Sequence, residues 1–203
     1  MLNDFVQLKE QDTVIQNGAN SGVGQSVIQL GRLMNVNVVC IVRKRDDSMA
    51  QSALYKHLEA LGAKYIYTED ELRKSHFTSE LWQRIARPRL ALNCVGGKST
   101  TDMLRVLDQA ACVVTYGGMS RMPLTLNTAD FIFKDLSFRG FWMTAWRRQH
   151  PNEYEGMLEK MLDMISSKRL IAPDCEEFKL DDFKRAFARA QQPFTNKKIL
   201  LTC

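Results

Sequence analysis

Short apolar runs separated by stretches with helical periodicity make up most of the chain. The runs are rich in valine and isoleucine and five to seven residues long. They predict β-strands at 13–17, 37–42, 63–68, 90–95, 112–117 and 136–142.

Helices are predicted between these strands. Apolar positions at 23–34 follow helical spacing and stop at Asn35. A second helix would start from a cap at Asp47 or Ser48 and end just before Gly62. Shorter helices are predicted from the capping box of Thr68 and Glu71, near residues 80–85, and over 100–108.

This alternation of strand and helix indicates a parallel sheet with helices on both faces. Right-handed crossovers would make it a doubly wound, Rossmann-like α/β fold. The pattern then changes to a long helix at 152–168, a strand-like run at 175–180, a helix at 183–190 and a last strand at 197–203. We therefore expect a Rossmann-like domain at 1–172 and a C-terminal α+β segment at 173–203 that packs on another domain.

Composition and charge narrow the possible partners. The 203 residues are 45% hydrophobic and 25% charged, enough for one large core domain. No apolar run reaches the roughly 18 residues of a membrane helix, and the first residues lack a targeting pattern. The charge of +5 is spread over short basic groups without a nucleic-acid motif. We expect neither a membrane nor a nucleic-acid partner, and either a cytosolic chain or a missing targeting segment.

Five cysteines are widely spaced and include no C-x-x-C pair. Cys40, Cys94 and Cys112 fall inside predicted strands. The pattern favours buried reduced thiols over disulfides or a zinc site.

The stretch NGANSGVGQ, residues 17–25, joins the first predicted strand to the first helix. At such a turn, Gly22 and Gly24 would let backbone N–H groups approach a phosphate, and the helix N-terminus favours negative charge. The spacing with Gly18 departs from G-x-G-x-x-G, so a tight turn without a ligand is the alternative.

A basic run, Arg43-Lys44-Arg45, follows the second predicted strand. Folds that prefer NAD usually place Asp or Glu there, to bond the ribose hydroxyls. Guanidinium groups can instead hold a 2′-phosphate through bidentate, charge-assisted bonds. The run favours NADPH over NADH, and a solvated basic turn is the alternative.

Two more strand ends carry paired glycines, at 93–97 and 115–119. Because ligands bind at the carboxyl ends of parallel strands, both pairs would face the same crevice. Either pair alone could be a simple turn.

Four segments in order, QNGANSGVGQSVIQL, RPRLALNCVGGKST, VTYGGMS and IFKDLSFRGFW, resemble the mitochondrial 2-enoyl thioester reductases. That family belongs to the medium-chain dehydrogenase/reductase superfamily and lacks catalytic zinc. The resemblance runs from Met1 to Cys203. It implies NADPH-dependent reduction of trans-2-enoyl-acyl carrier protein, or of the coenzyme A ester, in mitochondrial fatty-acid synthesis in the matrix.

The resemblance also implies cofactor contacts and a dimer. The contacts would be Asn20, Ser21, Gly22 and Val23 at the pyrophosphate, Arg43 and Arg45 at the 2′-phosphate, Tyr116, Gly117, Gly118, Met119, Phe141, Trp142 and Met143 on the nicotinamide side, and Lys197 near the C-terminus. The family's dimers imply that the strand at 136–142 is an edge that pairs with its copy.

In the family, a tyrosine on an N-terminal GroES-like domain donates a proton to the substrate. This chain begins just before the first predicted strand, so we expect that tyrosine outside it and assign no catalytic residue. We also expect exposed apolar residues in the tail, at Phe178, Phe183, Phe187, Ile199 and Leu201. A non-catalytic NADPH-binding isoform or pseudoenzyme, and a zinc-free quinone reductase, remain alternatives.

Overall fold

Six parallel strands form one sheet in the computed structural model, which describes residues 1–192 and 197–203 and, at 75–78, the backbone only. The strands are β1 (Thr13–Asn17), β2 (Asn37–Val42), β3 (Tyr65–Thr68), β4 (Pro88–Asn93), β5 (Cys112–Thr115) and β6 (Ser137–Gly140). Their order in the sheet is β3-β2-β1-β4-β5-β6. This is the order of a doubly wound dinucleotide-binding fold, so the predicted fold class is confirmed.

Helices lie between the strands, and two more follow the last strand of the sheet. They are α1 (Gly22–Leu33), α2 (Ser48–Ala60), α3 (Glu69–Leu72), α4 (Ser75–Arg84), α5 (Gly97–Leu104), α6 (Thr128–Ile132), α7 (Met143–Gln149) and α8 (Pro151–Ser166). Asp47 caps α2, and Thr68 and Glu71 form the predicted capping box of α3.

Two hydrophobic clusters, one on each face of the sheet, form the core. Successive residues of a strand point to opposite faces, so Val14 packs in one cluster and Ile15 in the other. Val38 and Val39 of β2 divide in the same way. The central strands are buried on both faces, which explains their continuous apolar sequences.

The prediction was wrong at several element ends. Helix α5 begins at Gly97, not at residue 100, because Gly96 turns the chain at a φ of 83°. Strand β6 ends at Gly140, so Phe141 and Trp142 lie beyond it. Helices α6 and α7 were not predicted.

The C-terminal segment forms a small unit of its own. Strands β7 (Cys175–Lys179) and β8 (Lys198–Thr202) pair in parallel, and helix α9 (Phe183–Gln191) lies between them in sequence. Just before this segment, the side chain of Gln29 on α1 holds the chain against the helix, donating to the carbonyl of Ile171 at 3.0 Å and accepting from its N–H at 2.7 Å.

Apolar side chains of this segment are open to solvent, as predicted for three of the five residues. Phe183, Phe187 and Leu201 are exposed, whereas Phe178 and Ile199 are half-buried. Helix α9 and the strand after it therefore present an apolar surface.

Strand β6 lies at the end of the sheet order, so the prediction that 136–142 contains an edge strand is confirmed. Cys40, Cys94 and Cys112 are buried free thiols, as predicted, while Cys175 and Cys203 are exposed. Among the helices that the structure describes, none has the length and apolar character needed to cross a membrane.

Candidate cofactor-binding site

A cleft of about 610 Å³ lies at the carboxyl edge of the sheet. The turns after β1, β2, β4 and β5 line it, and the C-terminal segment closes one side. Of the predicted contact residues, the cleft is lined by Asn20, Ser21, Gly22, Arg43, Met119 and Lys197.

The turn from β1 to α1 is shaped by glycines. Gly18 has a φ of 60°, and a Cβ there would lie 2.6 Å from the Cys94 sulfur. A Cβ on Gly24 would lie 2.6 Å from the carbonyl oxygen of Ala19. Both distances are too short for any side chain, so only glycine allows α1 to start this close to the turn.

Ser21 is the N-cap of α1, and its hydroxyl accepts a hydrogen bond from the Gly24 N–H at 3.1 Å. The Ser21 N–H donates to the carbonyl of Gly18 at 2.9 Å, so Ser21 holds the turn itself together. The N–H groups of Gly22 and Val23 begin the helix and have no intrahelical acceptor. These amides, at the positive end of the helix dipole, can bind a phosphate.

Arg43 lines the cleft at the end of β2, while Arg45 is half-buried beside it. The Arg45 N–H donates to the side-chain oxygen of Gln51 at 2.8 Å, which fixes the backbone of the basic turn. Burial lowers the pKa of the Arg45 guanidinium, and the positive charge of Arg43 lowers it further. The two positive charges therefore repel each other, and an anion bound beside Arg43 would offset that repulsion.

A buried amide network at the strand ends was missed by sequence reasoning. The side-chain oxygen of Asn93 accepts from Asn17 at 2.9 Å, from Thr100 at 2.8 Å, and from the N–H groups of Val95 and Gly96. The Asn93 amide nitrogen donates to Thr115 at 3.1 Å. This network ties the ends of β1, β4 and β5 together, so it sets the shape of the cleft floor.

The loop after β5 follows the loop after β4 closely. Met119 donates its N–H to the carbonyl of Cys94, and Ser120 donates to Val95. A Cβ on Gly117 would lie 3.1 Å from the Cys94 carbonyl oxygen, while nothing approaches Gly118 within 4 Å. The second glycine pair therefore serves loop packing at Gly117 and leaves open space at Gly118.

Tyr116 turns its side chain inward beside Cys94. Its hydroxyl is buried near the side chains of Cys94 and Ser21, and it makes no well-formed hydrogen bond with the residues that the structure describes. Burial raises the pKa of the Tyr116 hydroxyl, and Cys94 raises it further. The group is therefore a neutral phenol at physiological pH and can donate one hydrogen bond.

Phe141 and Trp142 line a second cavity of about 480 Å³, next to the end of β6. Its wall includes Phe5, whose ring packs edge-on against Phe141 at 6.2 Å, and Trp146. Met143, the first residue of α7, lines neither cavity. Of the seven residues predicted on the nicotinamide side, Met119 therefore lines the first cavity and Phe141 and Trp142 line the second. Tyr116, Gly117 and Gly118, like Met143, line neither of these two cavities.

Three further charged side chains in the cleft were also missed. Lys98 and Lys198 join Arg43 and Lys197 in its lining, and among the lining residues that the structure describes the one carboxylate is Glu69. The excess of positive charge suits an anionic ligand.

In the described part of the chain, no three His, Cys, Asp or Glu side chains lie close enough together to hold a metal ion. A zinc ion does not fit the residues that line either cavity.

The sequence and fold match known proteins over the whole chain. A family model described as zinc-binding dehydrogenase matches residues 22–163. The mitochondrial enoyl-[acyl-carrier-protein] reductase of Mus musculus is 43% identical over 203 residues, covering 100% of this chain and 53% of the relative. The chain thus spans about half the length of the curated relatives that it matches.

Two solved structures share the fold. The mitochondrial 2-enoyl thioester reductase Etr1p/Etr2p heterodimer from Candida tropicalis has a TM-score of 0.90 at 29% identity, over 100% of this chain and 57% of that chain. The complex of Etr1p with NADP and crotonyl-CoA matches with the same TM-score of 0.90, identity of 29% and coverage. Its sequence is similar to those of the mitochondrial enoyl-[acyl-carrier-protein] reductases. Because the family model matches more than half of the chain, the chain belongs to the zinc-binding dehydrogenase family.

Proposed function

We propose that this chain is the NADPH-binding part of an enzyme that reduces trans-2-enoyl thioesters, carried on acyl carrier protein or coenzyme A, in the mitochondrial matrix. The single observation that carries the proposal is the cationic cleft at the carboxyl edge of the sheet, with Gly22 at a helix N-terminus and Arg43 after β2. The names of the similar proteins support the thioester substrate and the organelle.

The cleft residues fit the two charged parts of NADPH. The amides of Gly22 and Val23 would receive the pyrophosphate, with Asn20 and the Ser21 cap holding the turn. Arg43 and Arg45 would hold the 2′-phosphate, whose extra charge an acid at that position would repel. Lys197 lies in the cleft wall and would add a positive charge.

The nicotinamide would lie between the two cavities, where β5 and β6 end. Tyr116, Gly117, Gly118 and Met119 form the loop on one side, and Phe141, Trp142 and Met143 follow β6 on the other. Aromatic side chains there would exclude water from the reacting carbon atoms.

When bound, the cofactor supplies a hydride to the β-carbon of the enoyl group. The thioester carbonyl makes that carbon electrophilic, and the α-carbon then takes up a proton. The family resemblance assigns the proton donor to a tyrosine of an N-terminal domain, and the proposed role of this chain is to hold the hydride donor and one wall of the substrate pocket. We assign residues 1–172 to the cofactor domain and residues 173–203 to a segment that packs on the catalytic domain.

The protein would act as a homodimer that pairs the β6 edges of two copies. An exposed edge strand is a hazard that such pairing removes. The Etr1p/Etr2p heterodimer is a dimeric relative, which supports the association but leaves the contact surface to experiment.

The proposal is tested on the native protein purified from its source. Its mass, compared with the 23.3 kDa of this chain, measures how much further sequence it carries. Oxidation of NADPH in the presence of crotonyl-CoA measures the reaction. We expect a larger protein that turns over crotonyl-CoA with NADPH. A native protein that binds NADPH but does not react with an enoyl thioester would contradict the assigned reaction and favour a non-catalytic module.

A further inference from the structure

Lys198 contacts the start of helix α1. A Cβ built on Gly22 would lie 3.0 Å from the Lys198 Cε and 3.5 Å from its Nζ, so the ammonium group lies against the first residue of the helix. Lys198 is the first residue of β8, which pairs with β7 and not with the six-stranded sheet. Lys198, which is 176 positions after Gly22 in the sequence, thus reaches the turn at the candidate phosphate site.

The charge at this position is unusual for a helix N-terminus. The first turn of α1 contains no acidic residue, although a helix N-terminus favours negative charge. In the described ranges 1–192 and 197–203, no ion pair joins Lys198 to a carboxylate. A cation beside the positive end of a helix dipole is unfavourable until an anion lies between them.

We propose that Lys198 binds the pyrophosphate of the dinucleotide together with the Gly22 amide. This inference rests on the proposed function, and it adds a second lysine to Lys197. The subsite follows from position: Lys198 lies at the β1–α1 turn, whereas the 2′-phosphate would lie after β2, at Arg43.

Binding would also fasten the C-terminal segment to the main domain. In the described structure, this segment meets the start of α1 at Pro173, whose Cγ would lie 3.6 Å from a Cβ on Gly22. The two hydrogen bonds between Gln29 and Ile171 hold the chain on α1 just before the segment begins. An anion bridging Gly22 and Lys198 adds a charge-assisted contact on the same side of the helix. Ligand binding should therefore slow amide hydrogen exchange in β8.

The test compares Lys198→Gln with Lys184→Gln, which removes the same charge from the exposed face of α9, outside the cleft lining. Affinities for NADPH and NADH are measured by isothermal titration calorimetry, after circular dichroism has shown that both variants are folded. Because both cofactors carry the pyrophosphate, Lys198→Gln should lower the affinity for NADPH and the affinity for NADH by about 5- to 10-fold each, and the ratio of the two affinities should not change. Lys184→Gln should bind as the wild type does, and Lys198→Arg should retain most of the affinity.

Three other results would refute either the role of Lys198 or the proposed function. Wild-type affinity of Lys198→Gln for both cofactors would refute the role of Lys198 and leave the proposed function standing. A loss confined to NADPH would place Lys198 at the 2′-phosphate and refute the pyrophosphate assignment. Failure of the wild-type chain to bind either dinucleotide would refute the proposed function, and this inference with it.

Discussion

Replacing Gly31 by alanine should destabilise the protein, although alanine is the better helix former. Gly31 is a buried residue of α1, and a Cβ there would lie 2.3 Å from the Cγ2 of Val38 on β2. Carbon atoms in contact prefer about 3.5–4.0 Å. Val38 is buried and β-branched, so its χ1 is restricted, and we expect α1 to move away from the sheet to make room.

The expected size follows from two opposing effects. Overpacking a close-packed core costs about 1–3 kcal/mol, whereas alanine in place of glycine inside a helix gains up to about 1 kcal/mol. The net loss should be about 1–2 kcal/mol in the free energy of unfolding. Gly156 of α8 is the matched control, because nothing lies within 4 Å of a Cβ built there. Gly156→Ala should stabilise the protein by about 0.5–1 kcal/mol.

Urea denaturation followed by far-ultraviolet circular dichroism measures both changes. The double variant Gly31→Ala/Val38→Ala removes the atom that clashes, so its loss should be smaller than the sum of the two single losses. Equal or greater stability of Gly31→Ala relative to the wild type would refute the close packing of α1 on β2. Since α1 carries Gly22 at its start, a displaced helix should also weaken NADPH binding.

Three further predictions follow from the same structure. Asn93→Ala should cost about 2–4 kcal/mol in urea denaturation, because it leaves buried donors of Asn17 and Thr100 without their acceptor; no measurable loss would show that the network does not hold the strand ends. Sedimentation equilibrium of the 203-residue chain should give twice 23.3 kDa at micromolar concentration, through the β6 edge, and a monomer there would count against that dimer. The same chain, assayed with crotonyl-CoA and NADPH, should be slower than the native protein by at least about 10²- to 10⁴-fold, the usual effect of losing a general acid; ordinary turnover would require a donor within the chain, and Tyr116→Phe would be the first variant to test.

Much of the fold could be predicted because its signals are local. The strands β1 and β2 are apolar runs bounded by turn residues, and the caps at Asp47 and Thr68 mark helix starts within a few residues. Helix α6 also has such a signal, since Asn127 and Asp130 form a capping box, but its five residues are too short to show a period. Helix α7 buries none of its residues, so its sequence has no core-facing apolar pattern from which a helix could be predicted.

The site was only partly predictable, because part of it depends on contacts between distant residues. Arg43 directly follows β2, and Gly22 starts the helix after the short turn that follows β1, so their place at the carboxyl edge comes from the fold class. The contact of Lys198 with Gly22 depends on how the C-terminal segment lies against α1, which no local pattern encodes. Asn93 looked like a polar end to an apolar run, and its four accepted hydrogen bonds became visible only in three dimensions.

The central claim is that the cleft selects NADPH through the basic turn after β2. The most direct measurement is the ratio of the dissociation constants for NADH and NADPH, by calorimetry, in the wild-type chain and in the Arg43→Ala/Arg45→Ala variant. We expect the wild type to bind NADPH at least about tenfold more tightly than NADH, because two guanidinium groups add charge-assisted bonds to the 2′-phosphate. The double variant should lose that preference while its affinity for NADH changes by about twofold or less. Equal affinity of the wild type for the two cofactors would contradict the account.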